Sequence, residues 1–330
     1  GVTVKNMNLF DALSQKEKLG KVDFNKIKRK NIKELLRLIH VFFSRKHVFI
    51  IGVSGKATRR LLTRLLYWFN RKTMRRSIIM IMGGQAAKII AADTAYQKQM
   101  AVYQKIYVET KGMLQTLRDA GLDNVQIYPN GRFKIRESLP DKVFDRHPIK
   151  LLYFSQVSKQ KGADTAFDSA KLLDEKGMDY QLDFYGKIEP TYQQIFEQRL
   201  EENKRTAYHG IYNTQENSVY KLMNQYDIML FPTTWASEGA PGCLIEALIA
   251  GLPCIVTDWN FNSDIVDDGF SGIVLKENTP ACMADAIETL EKDRTLLQTY
   301  SENCAVSAEK YYIENYIDEI YEQLQKGENN

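Results

Sequence analysis

Two glutamates in the second half of the sequence are the residues whose setting most suggests chemistry. Glu238 lies in a loop rich in glycine and proline, and Glu246 follows eight positions later inside an apolar helical segment, in the stretch EGAPGCLIEALIAGLP (238–253). A buried carboxylate is costly unless something pairs with it. The two acids are therefore either structural exceptions, or they bind a molecule that enters from outside.

The segment around these acids predicts where such a molecule would bind. Residues 226–251 read as strand, loop and helix, and ligands of open α/β sheets bind at the carboxyl ends of strands. Gly239, Pro241 and Gly242 would let the backbone approach a ligand and leave the first N–H groups of the helix for a phosphate. Carboxylates are good acceptors for sugar hydroxyls, so the combination suits a nucleotide sugar. Each feature alone has an ordinary explanation, because such turns are common and the helix dipole favours a glutamate near a helix start.

The apolar pattern predicts the architecture that positions these residues. A chain of 330 residues is long enough for two domains, and strands alternate with helices along most of it, which predicts parallel sheets covered on both faces. In the first half, a helical pattern opens the chain without a preceding strand; strands are predicted at 48–53, 77–82 and 105–110, and helices at 31–43, 59–76, 86–103 and 111–121. In the second half, strands are predicted at 150–156, 180–186, 206–209, 226–232 and 254–258, and helices at 162–176, 191–202, 217–224 and 242–250.

Charge is distributed very unevenly between the two halves. Residues 1–150 carry 31 Lys and Arg against 11 Asp and Glu, whereas residues 151–330 carry 14 against 30. Such asymmetry predicts that the first half meets something anionic. A solvated surface, nucleic acid and an anionic membrane are the three explanations. The stretch 59–76 combines seven basic residues and no acid with leucines, Trp68 and Phe69 at helical spacing, which favours the membrane, although the apolar residues could equally be core. Nucleic acid is not expected, because no recognition motif accompanies the charge.

The cysteines and the apolar runs indicate the compartment. Cys243, Cys254, Cys282 and Cys304 are scattered without a CxxC pair, which predicts a reducing compartment and no zinc site. No signal peptide is apparent, and no apolar run reaches the roughly 20 residues that a bilayer span needs. We therefore predict a cytoplasmic protein that is soluble or peripheral on the inner face of the cell membrane.

Four segments together resemble one known family. The strongest is DIMLFPTTWASEGAPGCLIEALIAGLPCIVTD (227–258), which is similar to the donor-site block of retaining GT-B glycosyltransferases of family 4, especially the branch that builds bacterial capsular and exopolysaccharides. LLYFSQVSKQKG (151–162), YPNGR (128–132) and DIVDDGFSGIV (264–274) resemble three further motifs of that family. The resemblance implies an α/β protein of the GT-B class, with two Rossmann-like, doubly wound parallel-sheet domains facing across a cleft.

The resemblance also implies where the domains begin and end and which substrate each binds. It predicts an acceptor-binding domain over 1–148 with a linker at about 132–148, a donor-binding domain over 149–305, and a C-terminal helix over 306–330 that crosses back to the first domain. The donor would be a UDP-, GDP- or dTDP-linked sugar, and the acceptor a glycan or a polyprenyl-diphosphate-linked glycan. Transfer would retain the anomeric configuration, with no cofactor and no obligatory metal.

Carried over residue by residue, the resemblance implies roles for the site. Glu246 would bind the ribose hydroxyls, Glu238 would bind donor-sugar hydroxyls near the reacting face, and Lys161 would neutralise the departing diphosphate. The remaining donor contacts would come from the backbone of Gly239, Ala240, Pro241, Gly242, Cys243 and Leu244.

The sequence departs from the family pattern at three places. Gln156 stands where many members have an arginine, so part of the phosphate clamp is replaced by an amide that can still donate. Met82 stands where many have a histidine, just before the cleft glycines Gly83 and Gly84. Gly1 resembles the second glycine of the family's opening loop, so we expect the first strand of the family to be missing from this sequence.

Two other functions fit the same residues. A nucleotide-sugar epimerase could use the same architecture, and a protein without enzymatic activity could use the basic half to bind an anionic surface. Without acceptor, an epimerase would interconvert nucleotide sugars, whereas a transferase would at most hydrolyse one slowly. The non-enzymatic alternative predicts that replacing Glu238 and Glu246 with alanine leaves function untouched.

Overall fold

The chain divides into two compact units in this computed structural model, which describes residues 2–44, 47–53 and 55–329. The first unit comprises residues 1–134 and 311–330, and the second comprises residues 135–310. Each unit contains its own parallel sheet with helices, and the protein is therefore of the α/β class.

The first unit contains a four-stranded sheet in the order β1-β2-β3-β4, in which every neighbouring pair is parallel. Its strands are β1 (Ile50–Ile51), β2 (Ile78–Ile81), β3 (Lys105–Val108) and β4 (Val125–Ile127). Its helices are α1 (Val2–Ser14), α2 (Phe24–Lys28), α3 (Ile32–Phe43), α4 (Lys56–Phe69), α5 (Arg71–Met74), α6 (Ala86–Ala91), α7 (Thr94–Met100), α8 (Lys111–Asp119) and the C-terminal α15 (Ile317–Asn329).

Helices α1 and α15 share the core on one side of this sheet. Leu9 and Leu13 of α1 pack in one cluster with Ile320 of α15 and Ile78 of β2. Glu319 of α15 also accepts hydrogen bonds from the side chains of Tyr107 (2.9 Å) and Gln126 (2.9 Å). The end of the chain is thus fixed to the first unit by both apolar and polar contacts.

The second unit contains a six-stranded parallel sheet in the order β10-β9-β8-β5-β6-β7. Its strands are β5 (Ile149–Phe154), β6 (Tyr180–Tyr185), β7 (Thr206–Tyr208), β8 (Ile228–Phe231), β9 (Cys254–Thr257) and β10 (Gly272–Leu275). Its helices are α9 (Ala163–Glu175), α10 (Gln193–Glu202), α11 (Val219–Asn224), α12 (Gly242–Ile249), α13 (Pro280–Lys292) and α14 (Arg294–Ala308). The central strands β5 and β8 are neighbours although 73 residues separate the end of one from the start of the other, and this pairing builds the site described below.

The segment 135–148, which we expected to be part of a linker, is held on the second unit. Arg146 donates to both carboxylate oxygens of the buried Asp227, at 2.7–3.1 Å. Lys142 Nζ donates to the carbonyl of Tyr226 at 2.7 Å, and the pKa of Lys142 is lowered to about 8, chiefly by burial. These contacts explain why the second unit begins at residue 135.

Three helices expected from the sequence are interrupted. The stretch 59–76 contains α4 and α5, because Asn70 follows the end of the first and accepts the backbone N–H of Thr73 (3.4 Å) as the N-cap of the second. The stretch 86–103 contains α6 and α7, because Asp93 ends the first and accepts the backbone N–H of Tyr96 (2.9 Å) as the N-cap of the second. A single C-terminal helix was expected over 306–330, but α14 ends at Ala308, and two short 3₁₀ turns precede α15. The last helix of the second unit and the helix that packs in the first are therefore separate elements.

Candidate active site

The loop between β8 and α12 brings the first predicted site residues together. Helix α12 begins at Gly242 after Pro241, whose side chain offers no hydrogen bond to the first turn. The first N–H groups of any α-helix have no partner within the helix, so this end can receive an anion. The loop itself turns back at Glu238, whose N–H donates to the carbonyl of Trp235 at 3.0 Å.

Lys161 and Glu238 form an ion pair at this end of the sheet. The ammonium of Lys161 contacts Oε2 of Glu238, and the two side chains are only 15% and 11% exposed. The buried hydroxyl of Thr233 donates to the same carboxylate oxygen at 3.1 Å. The ring of Trp235 lies 5.7 Å from the Lys161 ammonium. Lys161, predicted to neutralise the departing diphosphate, and Glu238, predicted to bind the donor sugar, are thus neighbours.

Backbone geometry sets the position of Lys161. The carbonyl of Lys161 accepts from the Tyr153 hydroxyl at 3.0 Å, and the chain then enters α9 through Gly162 at φ +79°. A Cβ at Gly162 would lie 2.1 Å from the carbonyl oxygen of Pro232, so only glycine allows this approach. Thr234 N–H donates to the carbonyl of residue 160 at 2.9 Å. The loops that follow β5 and β8 are therefore fixed against each other.

The pKa of the Cys243 thiol is shifted by burial and by the charged residues around the start of α12. The pKa of its thiol is raised to about 12, first by burial and then by the carboxylates of Glu246 and Glu238, while the Lys161 ammonium opposes the shift. Both carboxylates and the ammonium therefore lie within Coulombic reach of one atom. Glu246 is half-buried in α12, four positions after the first residue of the helix, and its predicted ribose contact stays a prediction.

The other predicted donor contacts are distributed along the same loops. Ala240, Pro241 and Leu244 are buried, and Gly239, Gly242 and Cys243 are half-buried. Gln156 follows the end of β5 and is exposed; its carbonyl accepts from the Tyr153 hydroxyl at 3.0 Å. In the described part of the chain, no side-chain contact links Gln156 to Lys161 or Glu238, so its predicted phosphate contact stays a prediction.

The predicted cleft residues of the first unit lie after β2. Met82 is buried in the core, and Gly83 follows it at φ +94° and donates its N–H to Glu109 Oε2 at 3.2 Å. Gly84 is buried. Gly1 lies outside the described residues.

An ionic cluster beside Gly83 was not predicted from the sequence. Glu109 directly follows β3 and pairs with the fully buried Lys5 of α1 at 3.5 Å, and Lys5 Nζ also donates to the Tyr128 carbonyl at 2.9 Å. Burial lowers the pKa of Lys5, although Glu109 counteracts the effect. The position of Glu109 after an apolar strand was the only available signal, because its pairing with a residue 104 positions away depends on the tertiary structure.

Asn260 is a second residue that sequence reasoning missed. Its side-chain amide donates towards the carbonyls of Trp235, Ala236 and Glu238 at 3.2–3.3 Å, and its backbone adopts φ +52°. Asparagine is among the few residues that adopt such a conformation readily. Asn260 thus fixes the loop that carries Glu238.

The described residues contain neither a cluster of metal-binding side chains nor a helix that could span a membrane. Across residues 2–44, 47–53 and 55–329, no three or more His, Cys, Asp or Glu side chains are grouped so that they could hold a metal ion. No helix within the same residues has the length and apolar composition needed to cross a membrane.

Two solved structures share the GT-B fold of this chain. HepE of Anabaena in complex with UDP aligns with a TM-score of 0.69 at 12% identity, covering 89% of this chain and 82% of that one. The pneumococcal O-GlcNAc transferase GtfA in complex with UDP and GlcNAc aligns with a TM-score of 0.68 at 14% identity, covering 91% of this chain and 60% of that one. At such identities the likeness establishes the fold alone.

The family follows from the sequence of the second unit. Residues 134–306 match the family described as glycosyl transferases group 1, and the chain belongs to this family. One relative is the UDP-Gal:alpha-D-GlcNAc-diphosphoundecaprenol alpha-1,3-galactosyltransferase of Escherichia coli, 31% identical over 27% of this chain and 22% of its own length. Another is the capsular polysaccharide biosynthesis glycosyltransferase CapM of Staphylococcus aureus, 24% identical over 52% of this chain and 44% of its own length. The chain thus spans less than half the length of both relatives.

Proposed function

We propose that this protein transfers a sugar, with retention at the anomeric carbon, from a nucleotide-diphosphate sugar to a glycan acceptor in the synthesis of a bacterial cell-surface polysaccharide. The observation that carries the proposal is the Lys161–Glu238 pair at the start of α12, within the segment that matches the family. The family match also favours transfer over the epimerase and over a protein without enzymatic activity.

The proposed donor site uses the loops that follow β5 and β8 in the second unit. The diphosphate would lie on the N–H groups of Gly242, Cys243 and Leu244, where the helix dipole and Lys161 both favour negative charge. Glu246 would bind the ribose hydroxyls, and Glu238 the hydroxyls of the transferred sugar. Without donor, Lys161 and Glu238 neutralise each other; with donor, each gains a partner of its own on the substrate.

In the proposed reaction, Lys161 stabilises the leaving diphosphate, and the Glu238 carboxylate stabilises the positive charge that develops at the anomeric carbon. The bond between the anomeric carbon and the diphosphate oxygen breaks, the acceptor hydroxyl oxygen bonds to the same face of that carbon, and its proton passes to the departing diphosphate. Charge accumulates on the diphosphate as the bond breaks, and Lys161 together with the helix end stabilises it without an obligatory metal. The Gln156 amide would donate to the diphosphate where many family members use an arginine.

Similar proteins suggest the substrate classes. HepE and GtfA were solved with UDP, and the relative from Escherichia coli is named for a UDP-galactose donor and a diphosphoundecaprenol-linked acceptor. We therefore expect a UDP-sugar to be a better donor than a GDP- or dTDP-sugar. The acceptor would be a polyprenyl-diphosphate-linked glycan, bound by the first unit.

The proposal is tested by incubating the protein with UDP-, GDP- and dTDP-sugars, with and without a polyprenyl-diphosphate-linked glycan. We expect transfer with an unchanged anomeric configuration when acceptor is present, and only slow hydrolysis when it is absent. Inversion at the anomeric carbon would contradict the proposed stereochemistry. Interconversion of donor sugars without acceptor would show that the protein is an epimerase and not a transferase.

The first unit has a surface that suits an anionic membrane. Helix α3 buries only Phe42 and exposes an apolar face whose spacing is that of one side of a helix: Ile32, Leu35, Leu36, Ile39 and Phe43. Residues 16–76, which include this helix, carry 19 Lys and Arg against three acids. The stretch 59–76, whose apolar residues could be interfacial or core, buries Leu62 and Leu66 but exposes Trp68 and Phe69. We propose that α3 lies on the inner face of the cell membrane, where a lipid-linked acceptor is held.

Ile39→Glu is expected to weaken binding to anionic vesicles about tenfold or more, because it places a charge on the face that enters the lipid. Flotation with phosphatidylglycerol vesicles measures the effect. Ile195→Glu is the matched control, since Ile195 is also an exposed isoleucine, 50% against 46%, but belongs to α10 of the second unit. Flotation that ignores lipid charge and salt, or equal loss in both variants, would contradict membrane docking through α3.

A further inference from the structure

Arg59 is a buried cation, and two of its three guanidinium nitrogens have no hydrogen-bond partner among the described residues. Its side chain is 2% exposed, and the two nitrogens are Nε and Nη1. Three acids of the first unit are engaged with other residues: Asp93 with Arg60, Glu109 with Lys5, and Glu319 with Tyr107. The proposed transfer reaction does not use this guanidinium.

The fold places Arg59 at a helix end. Helix α4 has 14 residues and is the next element after β1 in the chain, so in a parallel α/β sheet its first turn is on the side of the carboxyl ends of the strands. The N-cap is Gly55, which has no side chain to satisfy the first N–H groups, and Lys56 beside it is exposed.

The direction of the Arg59 side chain follows from its helix. Side chains lean towards the N-terminus of their own helix. Thr63, one turn further on, is fully buried and contacts the Tyr103 hydroxyl at 3.2 Å. Arg59 therefore extends from the same buried face towards the start of α4.

Such a group demands an anion. A buried charge is costly without a counter-charge, and a guanidinium cannot escape that cost by losing its proton. A phosphate suits this position better than a carboxylate, because the guanidinium, the Lys56 ammonium and the N–H groups of the first turn together offer two positive charges and several donors.

We propose that Arg59 and the first turn of α4 form a phosphate-binding site, and that its ligand is the diphosphate of the lipid-linked acceptor. The identity of the ligand rests on the proposed function, whereas the phosphate-binding site itself does not. Free phosphate or diphosphate shares the same chemistry, so the experiment separates the two sources.

The first test needs no ligand. Arg59→Met removes an uncompensated buried charge and keeps most of the apolar volume, so we expect its Tm to equal or exceed that of the wild type. Arg60→Met is the matched control: it loses the same charge from the next position but leaves Asp93 without its partner, so its Tm should fall slightly. A Tm several degrees lower for Arg59→Met, or a failure to fold, would show that the guanidinium has structural partners and would overturn the site.

The second test uses inorganic pyrophosphate as the probe. At about one hundred times its dissociation constant, pyrophosphate should raise the Tm of the wild type by several degrees. Any response from the donor half is common to all variants, so the difference between Arg59→Met and Arg60→Met isolates this site. We expect the increment to shrink in Arg59→Met, to persist in Arg60→Met, and to be partly retained in Arg59→Lys. Equal increments in all variants would overturn the site.

The third test separates the acceptor from free diphosphate. With a polyprenyl-diphosphate-linked glycan, Arg59→Met should raise the acceptor KM roughly 10- to 100-fold, as loss of a charge-assisted contact does, while acceptor-independent donor hydrolysis stays at the wild-type rate. An unchanged acceptor KM, with the pyrophosphate response still lost, would assign the site to free diphosphate and overturn the acceptor assignment. Absence of any transfer by the wild type would contradict the proposed function and leave the pyrophosphate result standing.

Discussion

Glu238→Gln is expected to lower kcat by about 100- to 1,000-fold, which is the usual effect of removing one preorganised electrostatic contact from a transition state. The amide keeps the shape of the side chain and its ability to bind a hydroxyl, but it loses the negative charge that lies beside the reacting carbon. Donor KM should change much less than kcat, because hydroxyl binding is largely retained. Initial rates at varied donor concentration measure both quantities.

The control for Glu238→Gln is the same substitution at Glu277, an exposed glutamate in the same unit. Glu277→Gln should leave kcat within about twofold of the wild type, as expected for a surface position. If Glu238→Gln retained comparable activity, the carboxylate would have no part in catalysis, and hydroxyl binding would be its only role.

Lys161→Met is expected to lower kcat/KM by about 1,000-fold, because it removes the cation that receives the charge of the departing diphosphate. It should also lower the free energy of unfolding by about 1–3 kcal/mol, since Glu238 is left nearly buried without its partner. Urea unfolding and initial rates measure the two effects separately.

Two further variants separate these effects. Lys161→Met combined with Glu238→Gln should regain most of the lost stability while activity stays low, because the second substitution removes the unpaired charge. Lys159→Met, at an exposed lysine two positions away, should change neither quantity. Recovery of activity in the double variant would show that Lys161 serves only to neutralise Glu238.

Local sequence patterns predicted the elements of the site. The apolar run before Pro232 and the glycines on both sides of Pro241 determine a buried strand, a close turn and a helix start, and the structure has them within a residue or two. Outside the site, the helical patterns 59–76 and 86–103 continue across Asn70 and Asp93, but each of these side chains caps a second helix by accepting a backbone N–H, from Thr73 and Tyr96 respectively.

Contacts across the sheet could not be predicted in the same way. The meeting of Lys161 and Glu238, 77 positions apart, depends on the pairing of β5 with β8, which local periodicity does not encode. Asn260 depends similarly on the path of the chain after β9. The resemblance to a known family suggested roles for the first two, but it offered nothing for Asn260 or for Arg59, whose significance comes from two buried nitrogens that have no hydrogen-bond partner in the described part of the chain.

The charge asymmetry of the sequence also gains a more specific interpretation. The basic excess covers residues 1–150, and the stretch 59–76 was the part whose composition favoured a membrane, whereas the larger exposed apolar face belongs to α3. Apolar residues at helical spacing look the same in a sequence whether they face a core or a solvent-exposed surface. Exposure in the structure distinguishes the two cases.

The most direct test of the account is to locate a bound nucleotide sugar, by solving the structure of the protein with UDP-glucose or with the donor that the transfer assay selects. We predict that the diphosphate lies on the N–H groups at the start of α12 within hydrogen-bond distance of Lys161 Nζ, with Glu246 on the ribose and Glu238 on the sugar. A nucleotide bound elsewhere, with Lys161 and Glu238 still paired to each other, would contradict the central claim.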